Sequence, residues 1–138
     1  MDHARMLEQL VAHEGVRLKP YRCPAGKLTI GIGRNLDDVG LTRGEAFMLA
    51  SNDIVRTEAL LEKLAVWGAL GDVRQRVLCD MAFNMGVAGL MQFRKMFAAI
   101  EAQDFARAAD EMLASAWAKQ VPGRADKLAR MMRTGHDV

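Results

Sequence analysis

The sequence predicts an α+β domain that is mainly α-helical. Most of its 138 residues fall into stretches whose apolar side chains repeat at helical spacing. One stretch, residues 21–36, loses that period and is interrupted by glycine and proline. The length suits one domain, or two small lobes that share one long helix. These observations favour a helical protein that carries one small sheet near its N-terminus.

Residues 2–14 form the first predicted helix, with Asp2 as N-cap and Gly15 as its stop. Its apolar stripe consists of Met6, Leu7, Leu10 and Val11. Glu14 therefore lies in the last turn, where the negative end of the helix dipole disfavours another negative charge. That position suits a general acid, and a solvated glutamate at a helix end is the alternative.

The next segment predicts a β-hairpin or a three-stranded antiparallel sheet. Residues 27–32 alternate enough for a short strand, and Ala25-Gly26 is typical of a turn. A sheet this small is stable only if it packs on a helix. Gly31 and Gly33, which flank Ile32, indicate close backbone approach or unusual dihedral angles.

A capping box predicts the long helix that follows, with Thr42 at the N-cap and Glu45 three residues later. We expect this helix to run to about Val66. The polar residues 51–53 divide its apolar positions, as in a helix that serves two lobes.

Further helices are expected after Gly71. Asp72 is the predicted N-cap of a strongly apolar helix that Gly86 and Gly89 break. Shorter helices follow near 90–101, 104–118 and 124–134, the second capped by Asp104. Most of the ten methionines occupy apolar helical positions, so core filling is favoured over a methionine-rich binding groove.

Composition excludes several classes of function. A formal net charge of +2 does not indicate a nucleic-acid binder. Cys23 and Cys79 lie in different predicted elements and are expected to be free thiols, and no metal-ligand spacing is present. The chain shows neither a signal-peptide pattern nor the roughly 18 apolar residues of a membrane span. We therefore expect a cytoplasmic protein with no metal and no cofactor.

Residues 119–133 contain five cations and one acid. The cations are Lys119, Arg124, Lys127, Arg130 and Arg133. A solvated helix face and contact with a polyanionic surface both remain open for this stretch.

The spacing of three polar residues carries a resemblance to a known family. Eight residues separate Glu14 from Cys23, and five separate Cys23 from Thr29, within Glu-Gly-x-Arg-Leu-x-x-Tyr and Leu-Thr-Ile-Gly-Ile-Gly. This pattern resembles the catalytic signature of the phage lysozymes related to T-even phage lysozyme, which are glycoside hydrolases. Residues 41–46, 52–53, 83–86, 117, 122–125 and 133–135 extend the resemblance over nearly the whole chain.

The resemblance implies a single lysozyme-like domain over residues 1–138. Its small β-sheet lobe would span about 15–50, and its larger helical lobe would comprise about 1–14 and 67–138. It also implies cleavage of the β-1,4 bond between N-acetylmuramic acid and N-acetylglucosamine. Glu14 would be the general acid, and Thr29 would hold the attacking water.

The resemblance further implies substrate contacts from Phe83, Asn35, Glu111 and Arg124. It also implies an ion pair between Arg34 and Asp53, because the family pairs a basic group after Gly-Ile-Gly with an acid on the interlobe helix.

Cys23 stands where the best-known members have aspartate, although other resembling phage endolysins carry cysteine. A thiol with a pKa of about 8.5 is a poor base at neutral pH unless Arg22 or Lys27 lowers that value. Three roles are open: a thiolate base or electrostatic stabiliser, a neutral group that positions water beside Thr29, and a nucleophile in a retaining route.

The resulting expectation is an endolysin that degrades the wall of a Gram-negative host at the end of phage infection. Its partner would be peptidoglycan glycan strands, with Lys119–Arg133 docking on anionic wall or outer-membrane lipopolysaccharide. It would act as a monomer that accumulates in the host cytoplasm and reaches the periplasm through a holin. A lytic transglycosylase and a non-catalytic glycan-binding module are the alternatives.

Overall fold

Seven helices and a three-stranded sheet make up the structure, a computed structural model that describes every residue from 1 to 138. This confirms the α+β, mainly α fold. The chain divides into two compact units, residues 1–49 and 50–138, which are described separately below. In chain order the elements are α1 His3–Glu14, β1 Arg17–Arg22, β2 Leu28–Gly31, β3 Arg34–Asn35, α2 Arg43–Leu61, α3 Asp72–Leu90, α4 Arg94–Glu101, α5 Phe105–Leu113, α6 Ala116–Gln120 and α7 Pro122–Thr134.

Helix α1 has the expected ends. The Asp2 carboxylate accepts from the Arg5 backbone N–H at 3.1 Å, and the Gly15 N–H donates to the Val11 carbonyl at 2.9 Å. None of its residues is buried. The first unit contains both α1 and the sheet, whereas the expected lobes place residues 1–14 with the later helices. The expected lobe boundaries stay a prediction.

The sheet is antiparallel in the order β1-β2-β3. Thr29 on the central strand pairs with Tyr21 on one side and with Asn35 on the other. The register between β1 and β2 shifts between Arg17 and Tyr21, in a segment that contains Pro20. Proline has no N–H to give to a ladder, which suits it to such an irregularity.

Helix α2 begins at the predicted capping box. The Thr42 N–H donates to Glu45 Oε1 at 3.1 Å, and the Glu45 N–H donates to Thr42 Oγ1 at 3.1 Å. The helix ends at Leu61 instead of Val66, because the chain turns there and the Leu64 N–H donates to the Leu61 carbonyl. A short 3-10 turn then covers Trp67–Ala69.

The second unit holds the hydrophobic core. Its fully buried large side chains are Leu61, Val77, Leu78, Met81, Leu90, Met96, Met112 and Met132. Methionine is thus a core residue here, as predicted. None of the helices combines the length and apolarity that a bilayer span requires.

Helix α3 differs from its prediction at both ends. Gly71 is the N-cap, and Asp72 is the first helical residue, with its carboxylate 2.8 Å from Arg76 Nε. The predicted break at Gly86 is a kink, with φ of 81°, and the helix continues through Gly89 to Leu90. Glycine adopts this positive φ without the clash that a Cβ would cause.

The stretch predicted as one helix over 104–118 is two helices, α5 and α6. Asp104 caps α5 as expected, accepting from the Arg107 N–H at 3.0 Å. Ser115 caps α6, accepting from the Ala118 N–H at 3.2 Å. The apolar period continues across this break, which is why periodicity alone misses it.

Candidate active site

Glu14 is the last residue of α1, and its carboxyl group lies against the backbone of Gly33. A Cβ atom built on Gly33 would stand 3.0 Å from Glu14 Cδ and 3.2 Å from Oε2. Gly33 also has φ of 73°, which disfavours any residue with a side chain. Only glycine fits at this position without moving Glu14. Glu14 as a whole residue is exposed.

Cys23 begins the turn that joins β1 to β2. Its N–H donates to the Lys27 carbonyl at 2.9 Å, and its carbonyl accepts from the Gly26 N–H at 2.8 Å. A backbone hydrogen bond from Lys27 is the largest influence that lowers the pKa of the Cys23 thiol, and desolvation opposes it. A lower pKa increases the thiolate fraction near neutral pH.

The two cations considered for lowering the pKa of Cys23, Arg22 and Lys27, have other partners. Arg22 Nη1 lies 3.1 Å from the Gly26 carbonyl and 3.7 Å from Asp37. Lys27 Nζ lies 3.1 Å from Asp38. The thiol is therefore influenced mainly by the Lys27 peptide group and not by either side-chain charge.

Thr29 is buried in the middle of the sheet, and its hydroxyl donates to the Lys27 carbonyl at 2.8 Å. A hydroxyl has one hydrogen and two lone pairs. With that hydrogen directed to Lys27, Thr29 can hold a water only by accepting from it. A hydrogen bond from Thr29 to Cys23, which would also lower the pKa of Cys23, requires the hydroxyl to turn away from Lys27.

Asn35 is the cross-strand partner of Thr29, but its side chain is engaged in its own turn. Its Nδ2 donates to Asp38 Oδ2 at 3.0 Å, and its Oδ1 accepts from the Asp38 N–H at 2.9 Å. Asn35 lines a concavity of about 580 Å³ in the first unit, together with residues 30–34, Val16, Val39, Leu41 and Glu45.

The predicted ion pair between Arg34 and Asp53 is wrong. Arg34 Nη1 instead lies 2.6 Å from Glu45 Oε2 and 3.1 Å from the Gly40 carbonyl. Asp53 pairs with Arg56 at 2.7 Å. The capping box places the Glu45 carboxylate at the start of α2, where it is a local partner for Arg34. Hydrogen bonds from the Thr42 backbone and hydroxyl, followed by Arg34, lower the pKa of Glu45.

Two of the predicted substrate contacts meet in the second unit. Phe83, which is 48% exposed, and Arg124 line one groove of about 560 Å³. Arg124 Nε donates to Asp80 Oδ1 at 2.7 Å, an anchor that the motif did not indicate. Asp80 lies one helical turn before Phe83, which is the only sequence signal for it. Glu111 lines a different concavity of about 360 Å³ beside Phe93, so it is not grouped with the other two.

Cys79 lines the same groove as Phe83. It is a free, partly buried thiol that packs against the core, and burial raises its pKa. Cys23 is also free. No three His, Cys, Asp or Glu side chains converge as metal ligands.

The basic stretch of residues 119–133 is largely neutralised by ion pairs. Carboxylates lie 2.6 Å from Arg124, 3.3 Å from Arg130 and 2.6 Å from Arg133. Lys119 and Lys127 have no such partner and are exposed. The stretch is thus less available to a polyanion than its composition indicates.

Comparison with known proteins places the chain in a family. A family model described as phage lysozyme matches residues 11–133. The pre-baseplate central spike protein Gp5 of Enterobacteria phage T4 is 30% identical over 95% of this chain, which spans only 28% of that protein's length. Probable T4-type lysozyme 1 of Dictyostelium discoideum is 28% identical over 93% of both chains.

A third relative carries a name related to lysis. An endolysin of Acyrthosiphon pisum secondary endosymbiont phage 1 is 34% identical over 54% of this chain and 53% of its own. With the family model matched from residue 11 to residue 133, the chain belongs to the phage lysozyme family, which supports a lysozyme-type glycosidase role on peptidoglycan.

Proposed function

We propose that the protein is a muramidase that hydrolyses the β-1,4 bond between N-acetylmuramic acid and N-acetylglucosamine. The observation that carries this proposal is the phage lysozyme match over residues 11–133, which includes Glu14, Cys23 and Thr29. All three residues lie in one compact unit, on α1, on the turn after β1 and on β2.

Glu14 acts as the general acid that protonates the leaving oxygen. Its position at the end of α1 leaves the residue exposed, and Gly33 limits where its carboxyl group can move. Thr29 accepts a hydrogen bond from the attacking water, because its own hydrogen is directed to Lys27. An inverting enzyme of this type needs a base about 6.5–9.5 Å from its acid, with the water between them.

Cys23 supplies the second group. The lowered pKa of its thiol favours the role of thiolate base or electrostatic stabiliser over that of a neutral water-positioning group. Comparison of Cys23→Asp, Cys23→Ser and Cys23→Ala on isolated peptidoglycan tests this role. Activity retained in Cys23→Asp and lost in Cys23→Ala supports a base, whereas near-full activity in Cys23→Ala excludes an essential thiol.

The retaining route, in which Cys23 is the nucleophile, gives a different product. Retention of the anomeric configuration supports the nucleophile, and inversion supports water attack. Analysis of the product anomer on isolated peptidoglycan therefore separates the two.

The test of the whole proposal uses purified protein and chloroform-treated Gram-negative cells. Wild type should clear the suspension and release muropeptides with reducing muramic acid ends, identified by mass spectrometry. Glu14→Gln should release none. Binding to the walls without any release by wild type would instead support a non-catalytic glycan-binding module.

A lytic transglycosylase is the second candidate, and it is favoured by one observation. Glu14 is the only carboxylic acid among the three proposed catalytic residues, and a transglycosylase also needs one acid but uses the muramic 6-hydroxyl in place of water. Detection of 1,6-anhydro products would support it against hydrolysis.

In the phage life cycle, the proposed role is that of an endolysin. The name of the endolysin relative supports this setting. The protein would accumulate as a monomer in the host cytoplasm and reach the wall after release through a holin. Docking on lipopolysaccharide would depend on Lys119 and Lys127, since the arginines of that stretch are paired.

A further inference from the structure

Two turns of the first unit are tied together by contacts that the proposed mechanism does not use. The Cys23 turn comprises residues 23–27 and joins β1 to β2. The aspartate turn comprises residues 35–38 and begins at the last residue of β3. The Asn35 amide closes the aspartate turn through both of its hydrogen bonds with Asp38.

Asp37 and Asp38 link the aspartate turn to the Cys23 turn. Asp37 Oδ2 accepts from the Leu28 N–H at 2.7 Å and lies 3.7 Å from Arg22 Nη1. It therefore contacts the residue before the Cys23 turn and the residue after it. Asp38 Oδ1 accepts from Lys27 Nζ at 3.1 Å. The two carboxylates thus hold the Cys23 turn near both of its ends.

Lys27 links the contacts of Asp37 and Asp38 to Cys23. Its carbonyl accepts from the Cys23 N–H at 2.9 Å and from Thr29 Oγ1 at 2.8 Å. The Lys27 backbone is also the largest influence that lowers the pKa of the Cys23 thiol. A shift of Lys27 would therefore disturb both Cys23 and Thr29.

We propose that Asp37 and Asp38 are positioning residues that hold the Cys23 turn against β2 and thereby set the reactivity of the Cys23 thiol. The effect of Asp37 and Asp38 on hydrolysis rests on the proposed function. The reactivity of the thiol is a property of the folded chain and is measured without substrate.

The direction in which the pKa of the Cys23 thiol changes when an aspartate is removed distinguishes a positioning role from a purely electrostatic one. The charged groups around the turn are Arg22, Lys27, Asp37 and Asp38. If the aspartates acted only through their negative charge, removing one would favour the thiolate. If they hold the Lys27 backbone in place beside Cys23, removing one would disfavour the thiolate. The two accounts predict opposite shifts.

The experiment measures the alkylation rate of Cys23 by iodoacetamide against pH, in full-length protein with Cys79→Ser. Asp37→Ala and Asp38→Ala should raise the midpoint of the profile by about one pH unit, since one hydrogen bond to a charged group corresponds to roughly that shift. Asp37→Asn should give a smaller rise, because its amide oxygen can still accept from Leu28. Asp53→Ala, which removes a partly exposed, paired aspartate from α2, is the matched control and should leave the midpoint unchanged.

A midpoint that stays the same or falls in both alanine variants would overturn the positioning role. If Asp37→Ala does not fold, the midpoint of the alkylation profile of Asp37→Asn is compared with that of wild type instead. Peptidoglycan hydrolysis by the same proteins separates the two proposals. If wild type hydrolyses peptidoglycan but the midpoints of the aspartate variants equal that of wild type, only the positioning role is contradicted. A midpoint that rises while wild type does not hydrolyse contradicts only the proposed function.

Discussion

Replacing Gly33 with alanine displaces the Glu14 carboxyl group without touching Glu14 itself. The new Cβ atom would lie 3.0 Å from Glu14 Cδ, whereas carbon atoms in favourable contact are about 3.5–4.0 Å apart. The two groups must therefore separate by about 0.5–1 Å. Glu14 is the one that moves, because it is the flexible end of an exposed side chain and Gly33 is backbone.

Gly31→Ala is the matched control for this substitution. Gly31 has φ of 71°, almost the same as the 73° of Gly33, but no atom lies within 4 Å of its Cβ position. Each alanine costs about 1–2 kcal/mol of stability for its left-handed conformation. The two variants should thus have similar melting temperatures, and only Gly33→Ala should displace the carboxyl group.

The assay is kcat/KM on isolated peptidoglycan at a temperature where both variants are folded. A misplacement of about 1 Å at a reacting group can reduce the rate by about a hundredfold. We expect Gly33→Ala to be roughly ten- to a hundredfold slower than Gly31→Ala. Equal rates in the two variants would refute the assignment of Glu14 as the acid that Gly33 keeps in place.

Two further predictions concern stability. Thr42 and Arg34 lower the pKa of Glu45, so its carboxylate stabilises the fold above the unfolded-state pKa, and this contribution is lost as the pH falls through the folded-state pKa. The melting-temperature difference between wild type and Glu45→Gln should therefore be present at neutral pH and vanish in acid, and a difference that does not change with pH would contradict the capping-box contacts. Met112→Ala should lower the free energy of unfolding, measured in urea, by about 2–5 kcal/mol, because Met112 is fully buried. Met48→Ala at an exposed position should change it by less than about 0.5 kcal/mol, and similar losses in both would contradict the assigned core.

Features with local causes were predictable from the sequence. The capping box of α2 depends on two residues three positions apart, and both of its hydrogen bonds form. The Asp2 and Asp104 caps follow the same rule. Of the three strands, only β2 (Leu28–Gly31) had predicted bounds, residues 27–32, whereas β1 begins at Arg17, before the segment in which the helical period is lost.

Features that depend on distant partners were not predictable in this way. The family resemblance implied only Asp53 as the partner of Arg34, but Arg34 pairs with Glu45, whose carboxylate the capping box already holds near it. The ion pair of Arg124 with Asp80 joins residues 44 positions apart. The break at Ser115 was hidden because apolar residues continue at helical spacing on both sides.

In the candidate site too, some features were predictable from the sequence and others depended on distant contacts. The resemblance to a family signature, carried by their spacing, brought Glu14, Cys23 and Thr29 into one hypothesis, and the structure places them in one compact unit. The flanking glycines indicated a close backbone approach, but only the coordinates show that Glu14 is the group that approaches Gly33. The hydrogen bond from the Lys27 peptide to Cys23 has no sequence signal, because any residue there offers the same N–H.

The central claim is that Glu14 protonates a glycosidic oxygen while water attacks the sugar. Digestion of purified glycan strands in water enriched in the heavy oxygen isotope tests it most directly. Wild type should place one heavy oxygen atom on each new muramic acid reducing end, and Glu14→Gln should produce no new ends. Unlabelled 1,6-anhydro ends from wild type, or labelled ends from Glu14→Gln at the wild-type rate, would contradict it.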